Sequence, residues 1–317
     1  MSKAPQQDYV WQVIDRVKET PESFTYVFSP ATSSQRFSFT VGQFVTLSVL
    51  LKRPIPNSGM FDEGLVQRTY SIASSPTRDL MELTIKCEKP YGYIDPNTKR
   101  CDGFAAYFFE QIKIGDKVHL RLNPSRDHFL SKIGAGIEKN IAYWSGANGA
   151  ESARCLIQYM EETSDSGIFL TLFYSNPTLY ATGRELQGNK TVNVIYYHWL
   201  LDKAKKMENL KVVFTFTREK ELSFSSDHPR IIFRSGRFFS NFDGTQERTL
   251  SKYHMYSENS YNPICGSSGF INGIIRRPDG KIDRGKGIMQ NLMEIEGITQ
   301  AKIDKEQFYL QSVGAHQ

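Results

Sequence analysis

The chain has 317 residues, which at about 150 residues per domain predicts two domains. Hydrophobic residues make up 39% and aromatic residues 13%, a composition that excludes a disordered chain. The 39 Lys+Arg against 34 Asp+Glu leave a net charge of +5 scattered along the sequence, too weak a bias to indicate a nucleic-acid binder.

No run of about 18 apolar residues occurs, so no membrane-spanning helix is expected. The N-terminal MSKAPQQDYV lacks the apolar core of a secretory signal, and a cytoplasmic location is the expectation. Cys87, Cys101, Cys155 and Cys265 form no CxxC pair, and the six histidines show no HxxxH or HExxH spacing. Neither a protein-ligated metal nor a disulfide framework is therefore expected.

From Tyr9 to about Asn123 the sequence reads as short β segments: Val10–Val17, Phe24–Phe28, Phe44–Leu51, Thr69–Ala73 and Leu80–Cys87. Frequent turn signals such as Val41-Gly42 and Ile114-Gly115-Asp116 separate them, the pattern of a barrel or sandwich. One short helix is expected over Gly103–Gln111. Near Ile141 the rhythm changes. An apolar strand IAYW enters a glycine turn and then a helix with Ala153, Leu156, Ile157 and Met160 on one face.

Strand Ile168–Tyr174, a helix around Val192–Lys206 and strand Lys211–Thr217 follow, the alternation of a parallel α/β sheet. Asn262–Gly266 reads as a last buried strand and Ser268–Arg276 as a helix start. Arg277–Lys286 reads as a loop excursion before a helix over Gly287–Glu296. The expected fold is thus an N-terminal antiparallel β-barrel, residues 1–130, followed by an α/β parallel-sheet domain, residues 131–317.

Gly42-Gln43-Phe44-Val45 and, downstream, Arg68-Thr69-Tyr70-Ser71-Ile72-Ala73-Ser74-Ser75-Pro76 are the most informative stretches. Here the sequence resembles the ferredoxin–NADP reductase family, in which a flavin-binding barrel with an RxYS motif precedes a nicotinamide-binding α/β domain. The order of elements agrees across nearly the whole chain. The resemblance implies an FAD-dependent oxidoreductase that takes hydride from NADPH and passes electrons to a separate carrier, a ferredoxin or flavodoxin.

It also implies roles that suit the residue types. An arginine can hold a diphosphate through bidentate contacts, a tyrosine presents a flat face to an isoalloxazine ring, and a serine hydroxyl can reach its N5 edge. These fall to Arg68, Tyr70 and Ser71, with Thr69 between them. A second flavin element, Gly-x-x-Ser in the family, corresponds to Gly103-Phe104-Ala105-Ala106, where Ala106 lacks the hydroxyl and backbone groups of Ala105 and Ala106 are left to meet the phosphates. Tyr91 or Tyr93 is placed to stack on the adenine.

In the second domain the family's Gly-Gly-Thr-Gly turn corresponds to Gly146-Ala147-Asn148-Gly149, followed by Ala150-Glu151-Ser152. Gly146, Asn148 and Gly149 are the expected dinucleotide contacts. Glu151 suits the first turn of a helix but repels a pyrophosphate if it points inward, and is harmless if it faces solvent. Thr217-Arg218 and Gly236-Arg237-Phe238 are similar to elements that hold the 2′-phosphate of NADPH.

Cys265-Gly266 matches the family's cysteine beside the nicotinamide. Glu306-Gln307-Phe308-Tyr309 resembles its terminal strand, which implies a proton-relay or hydrogen-bonding role for Glu306 and makes Phe308 or Tyr309 a flavin cover. Ser71, Cys265 and Glu306 are accordingly the expected catalytic residues. The altered Gly146–Ser152 turn leaves two other readings open: a flavoprotein with impaired NAD(P)H docking that serves as a binding or assembly module, or a reductase serving an oxygenase or a ferric chelate.

Overall fold

The structure, a computed structural model, describes residues 8–36, 38–54, 61–86, 111–123, 139–163, 167–181, 191–240, 245–254, 256–276 and 282–308. Two six-stranded sheets organise it. The first contains β1 (Tyr9–Thr20), β2 (Ser23–Pro30), β3 (Phe44–Pro54), β4 (Phe61–Ser71), β5 (Met81–Lys86) and β6 (Lys117–Leu122), in the order β4-β3-β6-β1-β2-β5. All its pairings are antiparallel. Period-two patterning sends Trp11 and Val13 of β1, Val45 and Leu47 of β3, and Val118 and Leu120 of β6 into one core. A hydrogen bond from Ala73 N–H to the Glu82 carbonyl, 2.8 Å, draws the end of β4 toward β5 and curls the sheet.

The five strands read from the sequence are present. β4 is longer than expected, starting at Phe61, because it pairs with β3 along its whole length from Phe44↔Ser71 to Pro54↔Phe61. β6, whose KVHLRL alternates polar and apolar residues, is an addition. The expected helix over Gly103–Gln111 lies outside the described residues apart from Gln111.

The second sheet is fully parallel, in the order β10-β9-β8-β7-β11-β14. Its strands are β7 (Asn140–Gly146), β8 (Phe169–Asn176), β9 (Leu210–Phe216), β10 (Ile231–Ser235), β11 (Asn262–Ser267) and β14 (Ile303–Phe308). Helices α1 (Ala150–Glu162) and α2 (Tyr197–Lys206) cover one face. Helices α3 (Thr249–Tyr253), α4 (Ser268–Asn272) and α5 (Ile288–Ile295) accompany the other, where Trp144 stacks on Phe173 at 4.0 Å.

The chain lays down β8, β9 and β10 on one side of β7 and then returns to place β11 and β14 on the other. The order therefore reverses between β7 and β11. Such a switch point leaves a crevice at the carboxyl ends of the strands, the general place for ligands in open α/β sheets.

Three expectations are corrected in this half. The helix expected from Val192 begins at Tyr197, because Tyr196 adopts a left-handed backbone (φ 60°). The helix from Ser268 stops at Asn272, where Gly273 (φ 71°) caps it. The excursion that follows is a hairpin of β12 (Ile274–Arg276) and β13 (Ile282–Arg284) rather than a plain loop. Gly273 is required there, since a Cβ would lie 2.0 Å from the Gly285 carbonyl oxygen.

At the amino end of this sheet His254 is 5% exposed, with Nδ1 2.8 Å from Thr171 Oγ1 and Nε2 without a partner among the described residues. Burial, reinforced by the Lys211 ammonium, pushes the imidazole down to about 4. The unfolded chain thus binds a proton between pH 6.5 and 4 that the folded protein refuses, so stability falls as pH is lowered through this window. A loss of about 3 kcal/mol is expected from this residue. Urea melts of the protein and of His254→Asn at pH 7 and pH 4.5 check it: the difference between the two pH values should shrink in the variant.

Candidate functional site

Alternation along β4 puts Arg68 and Tyr70 on one face, each half-buried, with the exposed Thr69 on the other. Two residues along a strand separate the first pair by about 7 Å. The Tyr70 ring packs against the barrel core, and Ser71 is buried at the end of the strand opposite Phe44. The Arg68 guanidinium donates to the Gln67 carbonyl at 2.8 Å.

Burial pushes the Tyr70 phenol well up, the Arg68 guanidinium pulls it down, and the Glu151 carboxylate pushes it up again. Glu151 belongs to the first turn of α1 in the other domain, so the fold brings the barrel strand and the head of this helix within electrostatic reach.

Glu151 is 4% exposed. Its side chain therefore does not face solvent, and of the two orientations left open by the sequence the structure selects the inward one. The same carboxylate, after burial itself, raises the phenol of Tyr174 on β8, and it raises that of Tyr196 against the opposing pull of Arg154. Glu151 and Glu19 thus both act on tyrosines at the junction.

The turn before α1 is built on β7 at the switch point. Gly149 is a glycine for a protein-internal reason: a Cβ would lie 2.3 Å from the Cys265 carbonyl oxygen. Gly146 is covered by the Phe270 ring, 2.9 Å from an added Cβ, and the same ring contacts the Cβ position of Gly266 at 2.7 Å. Ser145 and Cys265 are paired in register, and Cys265 is in turn paired with Glu306 in β14. Gly146, Gly149, Cys265 and the backbone of Glu306 thus meet at the crevice between β7 and β11. Ser145 Oγ is buried beside it with no hydrogen-bond partner among the described residues.

Ala147 adopts φ 48°, a left-handed conformation that costs a residue with a Cβ about 1–2 kcal/mol. Its side chain is exposed, so glycine loses no packing there. After the roughly 0.5–1 kcal/mol entropic cost of an added glycine, Ala147→Gly is expected to stabilise the protein by up to about 1 kcal/mol. Equilibrium unfolding in urea measures this, and a destabilised variant would show that the turn does not strain Ala147.

Thr217, Arg218 and Arg237 lie apart from this cluster. They follow β9 and β10, and β9 is two strands or about 10 Å from β7. Arg218 and Arg237 are exposed, and Gly236 N–H donates to the Phe216 carbonyl at 3.1 Å, which ties their two loops together. Behind them Arg234, 8% exposed, pairs with Glu247 at 2.7 Å and donates to the Arg237 carbonyl at 2.8 Å.

Gly103, Ala105, Ala106, Tyr309 and both loop tyrosines, Tyr91 and Tyr93, lie outside the described residues, as do the side chains of Asn148, Glu306 and Phe308. No group of three or more His, Cys, Asp or Glu suited to a metal occurs among the described residues. No helix among them is long and apolar enough to cross a membrane.

Sequence reading passed over Arg154, Glu19, Glu82 and Tyr196. The contacts that join them across the two sheets span 72 positions (Arg154–Glu82), 135 (Arg154–Glu19) and 177 (Tyr196–Glu19), and no local pattern marks them.

No family model matches the chain. Over 204 residues it is 26% identical to the ferredoxin reductase component of 3-ketosteroid-9-alpha-monooxygenase from Mycolicibacterium smegmatis. The match covers 60% of this chain and 49% of that protein, so it spans about half the length of the curated relative. Among solved structures, the flavohem-like FAD/NAD binding domain of nitric oxide dioxygenase from Vibrio cholerae is similar with a TM-score of 0.59 and 15% identity, covering 95% of this chain and 99% of that one. The ferredoxin NADP+ reductase from Neisseria gonorrhoeae with bound FAD and NADP has a TM-score of 0.57 and 14% identity, covering 96% and 99%. Ferredoxin-NADP+ reductase from Plasmodium falciparum with 2'P-AMP has a TM-score of 0.58 and 13% identity, covering 95% and 96%. An antiparallel sheet curled around its own core, followed by a parallel sheet with a switch point at the glycine turn, gives this chain the two-domain fold of the ferredoxin–NADP reductase-like proteins.

Proposed function

We propose that the chain is a flavin-dependent NAD(P)H oxidoreductase, with FAD on residues 1–130 and NADPH docking on residues 131–317. The observation that supports this is the two-domain fold itself, in which the β4 strand that carries Arg68 and Tyr70 lies in one sheet, the glycine turn lies at the switch point of the other, and Glu151 at the head of α1 is within electrostatic reach of Tyr70. The residues present fit the flavin: a cation and an aromatic face share one side of β4, and a buried hydroxyl ends the strand. When bound, FAD supplies the redox chemistry, accepting hydride from NADPH and releasing electrons singly to a carrier such as ferredoxin or flavodoxin.

The protein's own part is binding and orientation. Arg68 holds the diphosphate, Tyr70 supports the ring system and the Ser71 hydroxyl serves the N5 edge. Gly103, Ala105 and Ala106 offer backbone N–H groups to the phosphates, and Tyr309 covers the ring. Gly146, Asn148 and Gly149 line the dinucleotide path, Cys265 keeps the nicotinamide in register, and Glu306 handles a proton. Thr217, Arg218 and Arg237 receive a 2′-phosphate, which two exposed arginines on linked loops suit.

Anaerobic titration with NADPH tests the reading. Flavin bands that bleach support it; a yellow protein that stays oxidised overturns it. The buried Glu151 favours the second outcome enough to name it, since a carboxylate at the head of α1 opposes a pyrophosphate there. In that case the chain is a flavin-binding or assembly module. The name of the curated relative directs the acceptor search to an oxygenase component as well as to soluble carriers.

A further inference from the structure

We infer that Arg154 is a positioning residue that fixes how the α/β domain docks on the barrel, and with it the alignment of the two cofactor sites. The inference rests in part on the reductase reading above. Arg154 lies one turn into α1, on the same flank as Glu151, Gln158 and Glu162.

Its side chain is 13% exposed and reaches two barrel carboxylates, Glu82 of β5 at 2.6 Å and Glu19 of β1 at 3.7 Å. The guanidinium plane also lies over two rings of its own domain, Tyr196 at 4.6 Å and Trp199 at 5.1 Å to the centroids. A planar cation held by ion pairing to carboxylates while it lies over aromatic rings is a task for arginine rather than lysine.

The partners are themselves held. Thr25 Oγ1 donates to Glu19 Oε1 at 2.7 Å, and Tyr196 N–H donates to Glu19 Oε2 at 3.3 Å. The Tyr196 hydroxyl bonds Thr84 Oγ1 of β5, so both ends of this residue are tied to the barrel. Its left-handed backbone, unfavourable for tyrosine, is over-determined by these contacts.

Further along the same flank, Ser75 N–H donates to Gln158 Oε1 at 2.9 Å, and Arg78 Nε pairs with Glu162 at 2.5 Å. Ser75 continues the segment that begins at Arg68, and α1 begins at the glycine turn. One helix therefore links the flavin strand to the dinucleotide turn, and the Arg154 ion pairs to the barrel are more buried than the Arg78–Glu162 pair.

Hydride transfer requires donor and acceptor atoms in near-attack geometry, and a displacement of about 1 Å costs roughly a hundredfold in rate. The clamp acts on that step and not on flavin affinity.

Calorimetry, small-angle scattering and stopped-flow reduction of the flavin-loaded full chain test this in wild type, Arg154→Lys and Arg154→Met. Arg154→Met is expected to split a single melting transition into two and to enlarge the radius of gyration. Flavin reduction should slow at least tenfold at saturating NADPH, with the NADPH Kd within threefold and flavin content unchanged. Arg154→Lys should fall between.

A single transition with unchanged dimensions in Arg154→Met overturns the clamp, whatever the rate does. A split transition with an unchanged reduction rate overturns its role in alignment. Should Arg154→Met fail to fold, Glu82→Gln and Arg154→Lys carry the same comparison. A wild type that NADPH does not reduce defeats the reductase reading and the alignment role that depends on it, and melting and scattering then decide the clamp alone.

Discussion

Glu247→Ala is expected to destabilise the protein by about 3–5 kcal/mol, because it leaves the Arg234 guanidinium buried without its carboxylate. Arg234 and Glu247 are 8% and 9% exposed, and the pair is 2.7 Å apart. Burial pushes the Glu247 carboxyl up, but the Lys252 ammonium and the Arg234 guanidinium outweigh it and hold the group below the usual carboxylate range. The stabilisation is therefore present above the ordinary carboxylate pKa and is lost as pH falls through the depressed value.

The consequence reaches the site. Arg234 also holds the Arg237 carbonyl and touches Thr215, so its release loosens the loop proposed to receive the 2′-phosphate. Urea unfolding at pH 7 measures the loss. A change below about 1 kcal/mol would show that water repairs the vacated position.

Glu151→Thr is expected to tighten NADPH binding about tenfold, equivalent to about 1.4 kcal/mol. A carboxylate at the head of α1 takes the position where the helix dipole and free N–H groups would otherwise favour a phosphate. Because Glu151 is buried, salt screens it poorly, so the gain should persist at high ionic strength. Equilibrium titration with NADPH at two salt concentrations reads the effect, and an unchanged affinity would place the dinucleotide away from this helix.

Much of the architecture was legible in the residues alone. Period-two runs marked five of the barrel strands. The change at Ile141 to apolar strands alternating with helices announced the parallel sheet, because burial on both faces removes alternation. Arg68, Tyr70 and Ser71 stood out through the resemblance of their stretch to the RxYS motif of the ferredoxin–NADP reductase family, whose roles their residue types suit. β6 escaped notice although its KVHLRL alternates, and β10 because it is short and follows a long polar loop.

What the sequence by itself determined is the division into two sheets, since strand and helix patterns depend on spacing within a few residues, and it singled out β4, the turn after β7 and β11 as the candidate site. The tertiary structure decided which way Glu151 points, why Gly146 and Gly149 must be glycine, and how Arg154 joins the domains. The reason is range: a Cβ at Gly149 meets Cys265, 116 positions away, and Arg154 meets Glu19, 135 positions away. Contacts across such separations arise only when strands far apart in the chain become neighbours, and no local spacing encodes them.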